Sequence, residues 1–320
     1  MFPVTDDSRT IVDCLQAAAA RAGVRLVLRT GLRQVERGRS VSASGGGDAA
    51  GQEGAFQVTL TSGESVACDR LLLATGGNKT NTGFEIARHF GHVIEPPVPS
   101  LFTFHIDDPR LKELSGVAVE DAVVAVPGTA LKENGPLLVT HWGLSGPAIL
   151  KLSAWGAREL HECDYRFTLL VNWAPQFNPE TLRAELERMR VSHPRKQLGS
   201  GSPAGLPLRL WEKMVVAAKL DPATSWAGLP GSACRALATG VCAAEFRVAG
   251  KSMFKEEFVT CGGVRRSEVD FKTMESRLVP GLHFAGEVID VDGVTGGFNF
   301  QAAWTEGWLA GRAMAGRAIG

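Results

Sequence analysis

The chain has 320 residues, 44% hydrophobic and 21% charged, a balance that fits a globular protein of about two domains and excludes a low-complexity or disordered chain. Its 34 basic and 34 acidic side chains cancel to zero formal net charge, which argues against a large basic surface for nucleic acid. No apolar run approaches the roughly 18 residues of a membrane-spanning helix, and the first residues lack the basic and apolar regions of a signal peptide.

In chain order, residues 8–22 predict a helix capped by Ser8, with Ile11, Val12, Leu15, Ala18, Ala19 and Ala22 on one stripe. Gly23 ends it, and 24–28 reads as a buried strand. Residues 32–36, 56–61 and 66–74 read as further strands, and the Gly- and Ser-rich stretch 38–54 as a mobile hairpin tip. A short helix over 82–90 leads to Glu95-Pro-Pro-Val-Pro99, a stiff, extended connection into a second domain. That domain is mixed. Strands are expected at 117–126, 137–140 and 165–173, and a helix from a Ser145 cap with Pro147 in its first turn to about Leu160. Asn178-Pro179 opens a charged helix over 179–191, 207–219 and 233–243 read as helical, and strands at 245–248 and 258–261 lead back. The six cysteines (Cys14, Cys68, Cys163, Cys234, Cys242, Cys261) contain no Cys-x-x-Cys pair, so they read as reduced thiols of a cytoplasmic protein, with neither a disulfide frame nor a metal site.

The stretch from Leu282 reads as strand, loop and helix. Leu282-His-Phe-Ala285 ends at Gly286, and three carboxylates, Glu287, Asp290 and Asp292, fall within seven residues. Thr295, Gly296 and Gly297 then open a long helix on which Ala303, Gly307, Gly311 and Ala315 recur every four residues on one small-residue face. A helix N-terminus carries unpaired N–H groups and roughly half a positive charge. Two glycines before it admit a ligand close to the backbone. Ionised carboxylates accept hydrogen bonds from sugar hydroxyls. Carboxylates first and a helix end second is a layout for a flavin nucleotide; the alternative is a capped surface helix behind an acidic loop.

The wording of this stretch, Gly-Leu-His-Phe-Ala-Gly-Glu-Val-Ile-Asp-Val-Asp-Gly-Val-Thr-Gly-Gly-Phe-Asn-Phe-Gln, resembles the C-terminal flavin-binding signature of the aminoacetone-oxidase-like family of NAD(P)/FAD-dependent oxidoreductases. Leu73-Ala-Thr-Gly-Gly77, Thr140-His-Trp-Gly-Leu-Ser-Gly-Pro-Ala148, Cys261-Gly-Gly-Val264 and Thr273-Met-Glu-Ser-Arg277 resemble that family too, in its order. The resemblance implies an α/β protein. Its two-dinucleotide-binding-type FAD domain would comprise 1–98 and 259–320, split by an inserted mixed β-barrel and helical domain over 99–258. Family members begin with a Gly-x-Gly-x-x-Gly turn, and neither Gly45-Gly-Gly47 nor Gly199-Ser-Gly201 has the strand and helix such a turn needs. With Phe2-Pro-Val-Thr-Asp6 at its very start, the chain is expected to be N-terminally truncated.

By the same resemblance, Gly286 and Glu287 lie near the ribityl–phosphate part of FAD, and Thr295, Gly296, Gly297, Phe298 and Asn299 near the flavin ring; Asp292 is a further cofactor-binding candidate, with a turn cap as the alternative. Ala74, Thr75, Gly76 and Gly77 lie near the pyrophosphate and adenosine, and Leu32 near adenine. His141 is the candidate acid or base, with a structural strand end as the alternative. His283 and Cys261 read as structural, although Cys261 sits at a domain junction within reach of a flavin. The expected chemistry is hydride transfer between a small organic substrate and flavin, with NAD(P)H or another electron partner on the other half; there is no strong nucleic-acid signature, and no membrane partner is expected. A remnant without FAD and a tRNA-modifying flavoprotein are the alternatives.

Overall fold

The computed structural model describes residues 3–38, 55–77, 82–251 and 259–316. Two compact units emerge, Met1–Arg70 and Leu71–Gly320. In the first, α1 (Arg9–Arg21) precedes β1 (Leu32–Arg37), β2 (Phe56–Leu60) and β3 (Ser65–Cys68). The strands form an antiparallel meander, β1-β2-β3, over the buried Val35, Phe56 and Val58. The helix and the strands at 32–36 and 56–61 are thus where the sequence placed them. Other expectations here fail. The carboxylate of Asp7 accepts the Arg9 N–H at 2.8 Å, and Ser8 makes no side-chain cap. No side chain of α1 is buried, so Val12 and Leu15 face solvent. Residues 24–28 form no strand. Among the described residues nothing pairs with them in a ladder, and Val24, Leu26, Val27 and Leu28 are exposed. Apart from Gly38, the expected mobile tip lies outside the described residues.

The expected strand 66–74 breaks at Asp69 and Arg70. Its second half is β4 (Leu71–Leu73), which opens the second unit. After α2 (Thr82–His89) come β5 (Ile94–Ser100), β6 (Phe104–His105), β7 (Ala118–Ala125), β8 (Lys132–Val139) and β9 (Gly143–Ser145). Next are α3 (Pro147–Trp155), α4 (Ala157–Glu162), β10 (Phe167–Asn172), α5 (Pro179–Ser192), α6 (Leu208–Ala217) and α7 (Gly231–Cys242). The chain continues through β11 (Ala244–Val248), β12 (Gly250–Lys251), β13 (Val259–Val264), β14 (Val269–Asp270), β15 (Glu275–Ser276), β16 (Leu282–Phe284) and α8 (Phe298–Met314). The result is a mixed α/β fold. The prolines of 95–99 lie within β5, which among the described residues pairs only with β13. A strand with one free side tolerates residues that cannot donate to a ladder. Ser145 lies in β9, and Gly146 (φ 97°) takes the cap position before Pro147. Asn178 caps α5 as its sequence position suggests, accepting the N–H groups of Glu180 and Thr181.

Seven strands form one sheet, β11-β10-β7-β8-β9-β6-β12, over a core that includes Trp173, Trp211, Phe102, Phe104 and Phe246. Among the described residues no pairing joins β11 to β12, so the expected barrel is not closed. Its two edges are nevertheless consecutive in the chain, separated by Ala249 alone, and the sheet must curl to bring them there. The turn between β8 and β9 depends on Gly143. Its φ is 146°, and a methyl group there would overlap Phe104 O and lie 2.6 Å from Ile106 N. Gly143→Ala is therefore expected to cost about 1–3 kcal/mol. A urea midpoint equal to that of the parent would show that β6 and β9 can separate freely.

Candidate functional site

β4 and β16 are parallel neighbours, with Leu71, Leu72 and Leu73 opposite Leu282, His283 and Phe284. Parallel pairing puts both C-terminal ends at the same edge, where open α/β sheets bind ligands. The two glycine-bearing stretches picked out from sequence, 74–77 and 286–287, therefore leave the sheet side by side. Ala285 donates its N–H to Leu73 O at 3.0 Å and so holds the exits in register. Glu287 closes the space between them, its carboxylate accepting backbone N–H groups of Gly77 and Thr260. Burial pushes the Glu287 carboxyl above its ordinary range, and these two donors pull the other way by favouring its charged form. Gly77 has no room for a side chain, because a Cβ would overlap Thr260 Oγ1. Gly76 (φ 73°) meets nothing within 4 Å of where a Cβ would stand, and its backbone is open to approach. Thr75 packs against the start of α2, where the absence of a side chain at Gly83 makes room for its hydroxyl.

β13 supplies the third wall. Its Gly263 (φ 135°) lies so close to the next turn that a methyl group would stand 2.7 Å from Val288 O. This approach permits the hydrogen bonds Val264 N–H to Val288 O and Asp290 N–H to Val264 O. Asp290 pairs with Arg158 of α4 at 3.0 Å, and Asp292 accepts from Ser100 Oγ at 2.8 Å. Cys261 lies beside Asp292. Burial, aided by that carboxylate, raises its thiol to about 11. A cavity of about 230 Å³ opens here between the helix pair α3–α4 and the segment 292–294.

The loop ends at α8. Gly296 (φ 123°) and Gly297 (φ 84°) have the left-handed backbone that favours glycine, and no side chain caps the helix. No side chain satisfies its first N–H groups, and such a helix end suits a polar or anionic group. Asn299 is used differently from the expectation. Its side chain accepts from Gly293 N at 2.8 Å and donates to Gly293 O at 3.0 Å, clamping the loop to the first turn. Thr295 is partly buried and Phe298 is exposed. The small-residue stripe is not the packed face. Gly307 and Gly311 have no neighbour within 4 Å of a Cβ position, whereas Glu306 and Ala310 are buried.

Glu306 was overlooked in the sequence. Its carboxylate accepts the Gly286 N–H at 2.6 Å, and its signal was a lone acid on the helix face three residues from Ala303. His141 stands exposed in the turn between β8 and β9 and does not line the cavity. Leu32 belongs to the first unit, on β1 opposite Leu60. No group of three or more His, Cys, Asp or Glu side chains able to hold a metal occurs among the described residues. None of the described helices is long and apolar enough to cross a membrane.

An α/β fold whose parallel strands end at a glycine-lined crevice defines a dinucleotide-type domain. The sequence matches the family described as HI0933-like protein Rossmann domain over residues 1–313, and the chain belongs to that family. A ribosomal RNA dihydrouridine synthase of Escherichia coli (strain K12) is 34% identical over 313 residues, covering 95% of this chain and 71% of that protein. One of the same name from Haemophilus influenzae is 30% identical, covering 95% of this chain and 72% of its own. A 3-dehydro-bile acid delta(4,6)-reductase of Clostridium scindens is 28% identical, covering 99% of this chain and 76% of its own. The relatives are enzymes by name, and the family is oxidoreductase-like. The expectation of a small-molecule substrate and no nucleic-acid partner is corrected by the two relatives named for ribosomal RNA. Zero net charge misled because it sums the whole chain and is blind to local distribution.

Burial raises the Glu306 carboxyl above its ordinary value of 4.5, opposed by the Gly286 N–H. The native state therefore holds its proton more tightly than the unfolded chain does, and stability falls as pH rises from 4.5 through the native pKa. Glu306→Gln keeps an acceptor for Gly286 and removes the titration. Its urea midpoint should fall less between pH 4.5 and pH 7 than that of the parent; an equal fall would place the titration elsewhere.

Proposed function

We propose that the chain is a flavin-dependent reductase acting on RNA, converting uridine in ribosomal RNA to dihydrouridine. The observation that carries the flavin part is the meeting of the two strand exits, 74–77 and 286–287, beside the uncapped glycine start of α8. The RNA part is supported by the names of the two relatives that are 34% and 30% identical. In this reading, 1–98 and 259–320 form the dinucleotide-binding part and 99–258 an inserted part that faces the substrate.

The fit of FAD rests on residues. Glu287 has about four lone-pair sites and spends two on Gly77 and Thr260, so two remain for ribityl hydroxyls. Gly76 lets a pyrophosphate lie against the backbone at the end of β4. Bound FAD would supply hydride transfer to the uracil C5=C6 bond, with NAD(P)H as the source of the electrons and solvent as the source of the accompanying proton. The N-terminal end of α8 stabilises the negative charge of the reduced ring by about 0.3–1 kcal/mol, and more where solvent is excluded. Glu306 holds Gly286 in place, and the Asn299 clamp holds Gly293, so the loop between them presents a fixed backbone.

Purified protein, mixed with FAD and desalted, should retain flavin absorbance at about one equivalent, and Gly297→Val should abolish it by filling the approach to the helix end. Retention by the variant would remove α8 from the flavin site. With NADPH and ribosomal RNA lacking the modification, the flavin-loaded protein should add two hydrogens to uridine, read by mass spectrometry of nucleosides. Flavin reduced by NADPH with RNA left unchanged would overturn the RNA reading while leaving the flavin reading standing.

A further inference from the structure

The cavity between α3–α4 and the segment 292–294 offers polar groups beyond the flavin contacts proposed above at Gly76 and Glu287. Its volume, about 230 Å³, is below the roughly 300–1,000 Å³ of sites for drug-sized ligands, so a single ring is the scale it accepts. One wall is Trp155, the last residue of α3. The rest of that helix is buried at Ala148, Ile149, Leu152 and Ser153, yet Trp155 is 68% exposed. A large aromatic ring left in solvent on a packed helix is a stacking surface. Lys151 lies one turn earlier on the same face. The polar end of the cavity holds Arg158 and Asp292, with Cys261 between the strands and Val294 as an apolar wall.

The hydrogen-bonding capacity of that end is specific. Arg158 has five N–H groups and spends one on Asp290 and one on Pro96 O, leaving donors free. Asp292 accepts from Ser100 and from the Cys261 thiol and keeps lone pairs. A donor beside a carboxylate acceptor complements an acceptor beside a donor. Uracil presents that pattern, with a carbonyl oxygen beside N3–H, and so does cytosine, with N3 beside its N4 amino group. Unpaired bases of single-stranded RNA are read in this manner, stacked on aromatic rings and hydrogen-bonded along the Watson–Crick edge.

We propose that this cavity is the base subsite: it takes one unpaired uracil of single-stranded RNA, stacked on Trp155, with Asp292 and Arg158 hydrogen-bonding its Watson–Crick edge and Lys151 beside the flanking phosphate. The inference rests on the RNA reading above and names where the base enters. The subsite adjoins the loop that runs from Asp292 to the start of α8, so a base seated there lies beside the proposed flavin position.

The test is fluorescence anisotropy of a labelled, unstructured oligoribonucleotide with one central uridine, and of the same oligomer with an abasic site there. Dihydrouridine formation in ribosomal RNA is assayed on the same preparations. Trp155 is exposed, so its replacement removes no core packing, and the urea midpoint confirms this. Trp155→Ala should weaken binding of the uridine oligomer about tenfold, while Trp155→Phe stays within about threefold. Asp292→Asn should shrink the preference for the uridine oligomer over the abasic one, because an amide accepts a base N–H less strongly than a carboxylate does. Equal losses for the uridine and abasic oligomers would overturn base stacking. Parent-like affinity in Trp155→Ala, from a parent that does form dihydrouridine, would overturn the subsite and leave the function standing. A parent that binds no oligomer and forms no dihydrouridine would overturn the function itself.

Discussion

Two carboxylates, the buried Glu306 and the half-buried Glu287, hold the site together through backbone N–H groups. Glu287 gathers Gly77 at the end of β4 and Thr260 on β13; Glu306 reaches from α8 to Gly286 at the end of β16. Between them they join three strand ends and a helix that are distant in sequence. An ion buried without a partner is costly. A carboxylate receiving backbone N–H donors is partly compensated, and it also satisfies amides that would otherwise be orphaned at strand exits. The glycines answer to the same geometry. Gly77 must lack a side chain for Thr260 to approach, and Gly263 must lack one for β13 to lie against Val288.

How much of this was legible follows from the range of each interaction. The strand-to-loop-to-helix order of 282–314 and the Ala-Thr-Gly-Gly exit were readable, because each is local. Their meeting is a parallel pairing across more than two hundred residues, and only the family resemblance of the two stretches hinted at it. Glu306 escaped because attention went to the small residues on α8. Glycines at i and i+4 suggested close packing, but the buried positions are Glu306 and Ala310. Asn299 was placed at the flavin because it stands at a helix start, yet its amide is spent on Gly293 six residues away. Side-chain destinations of this kind depend on loop geometry, which periodicity does not encode.

The misreading at 24–28 has its cause in pairing. Residues 24–28 are apolar enough for a buried strand, but a strand needs a neighbour as well as a pattern, and among the described residues none pairs with them. At 95–99 the three prolines predicted a stiff, extended connection; the segment is extended as β5, and among the described residues β13 is its hydrogen-bonding partner, on one side. Propensity describes one chain segment; pairing is a property of two.

Charge was misread through the same confusion of the total with the arrangement. Thirty-four acids and thirty-four bases sum to zero, yet around the loop that leads to α8 the acids are already engaged: Asp290 with Arg158, Asp292 with Ser100, and Glu287 and Glu306 with backbone amides. An acid engaged in this manner repels an approaching phosphate less than its formal charge implies, because its field is offset by the donors that hold it. The helix end at Gly297 has no such compensation and presents its positive field outward. A site that neutralises its own carboxylates internally while leaving one helix dipole open favours negative charge at one place, the start of α8, and a reaction that builds negative charge on a bound ring gains most if the ring lies there.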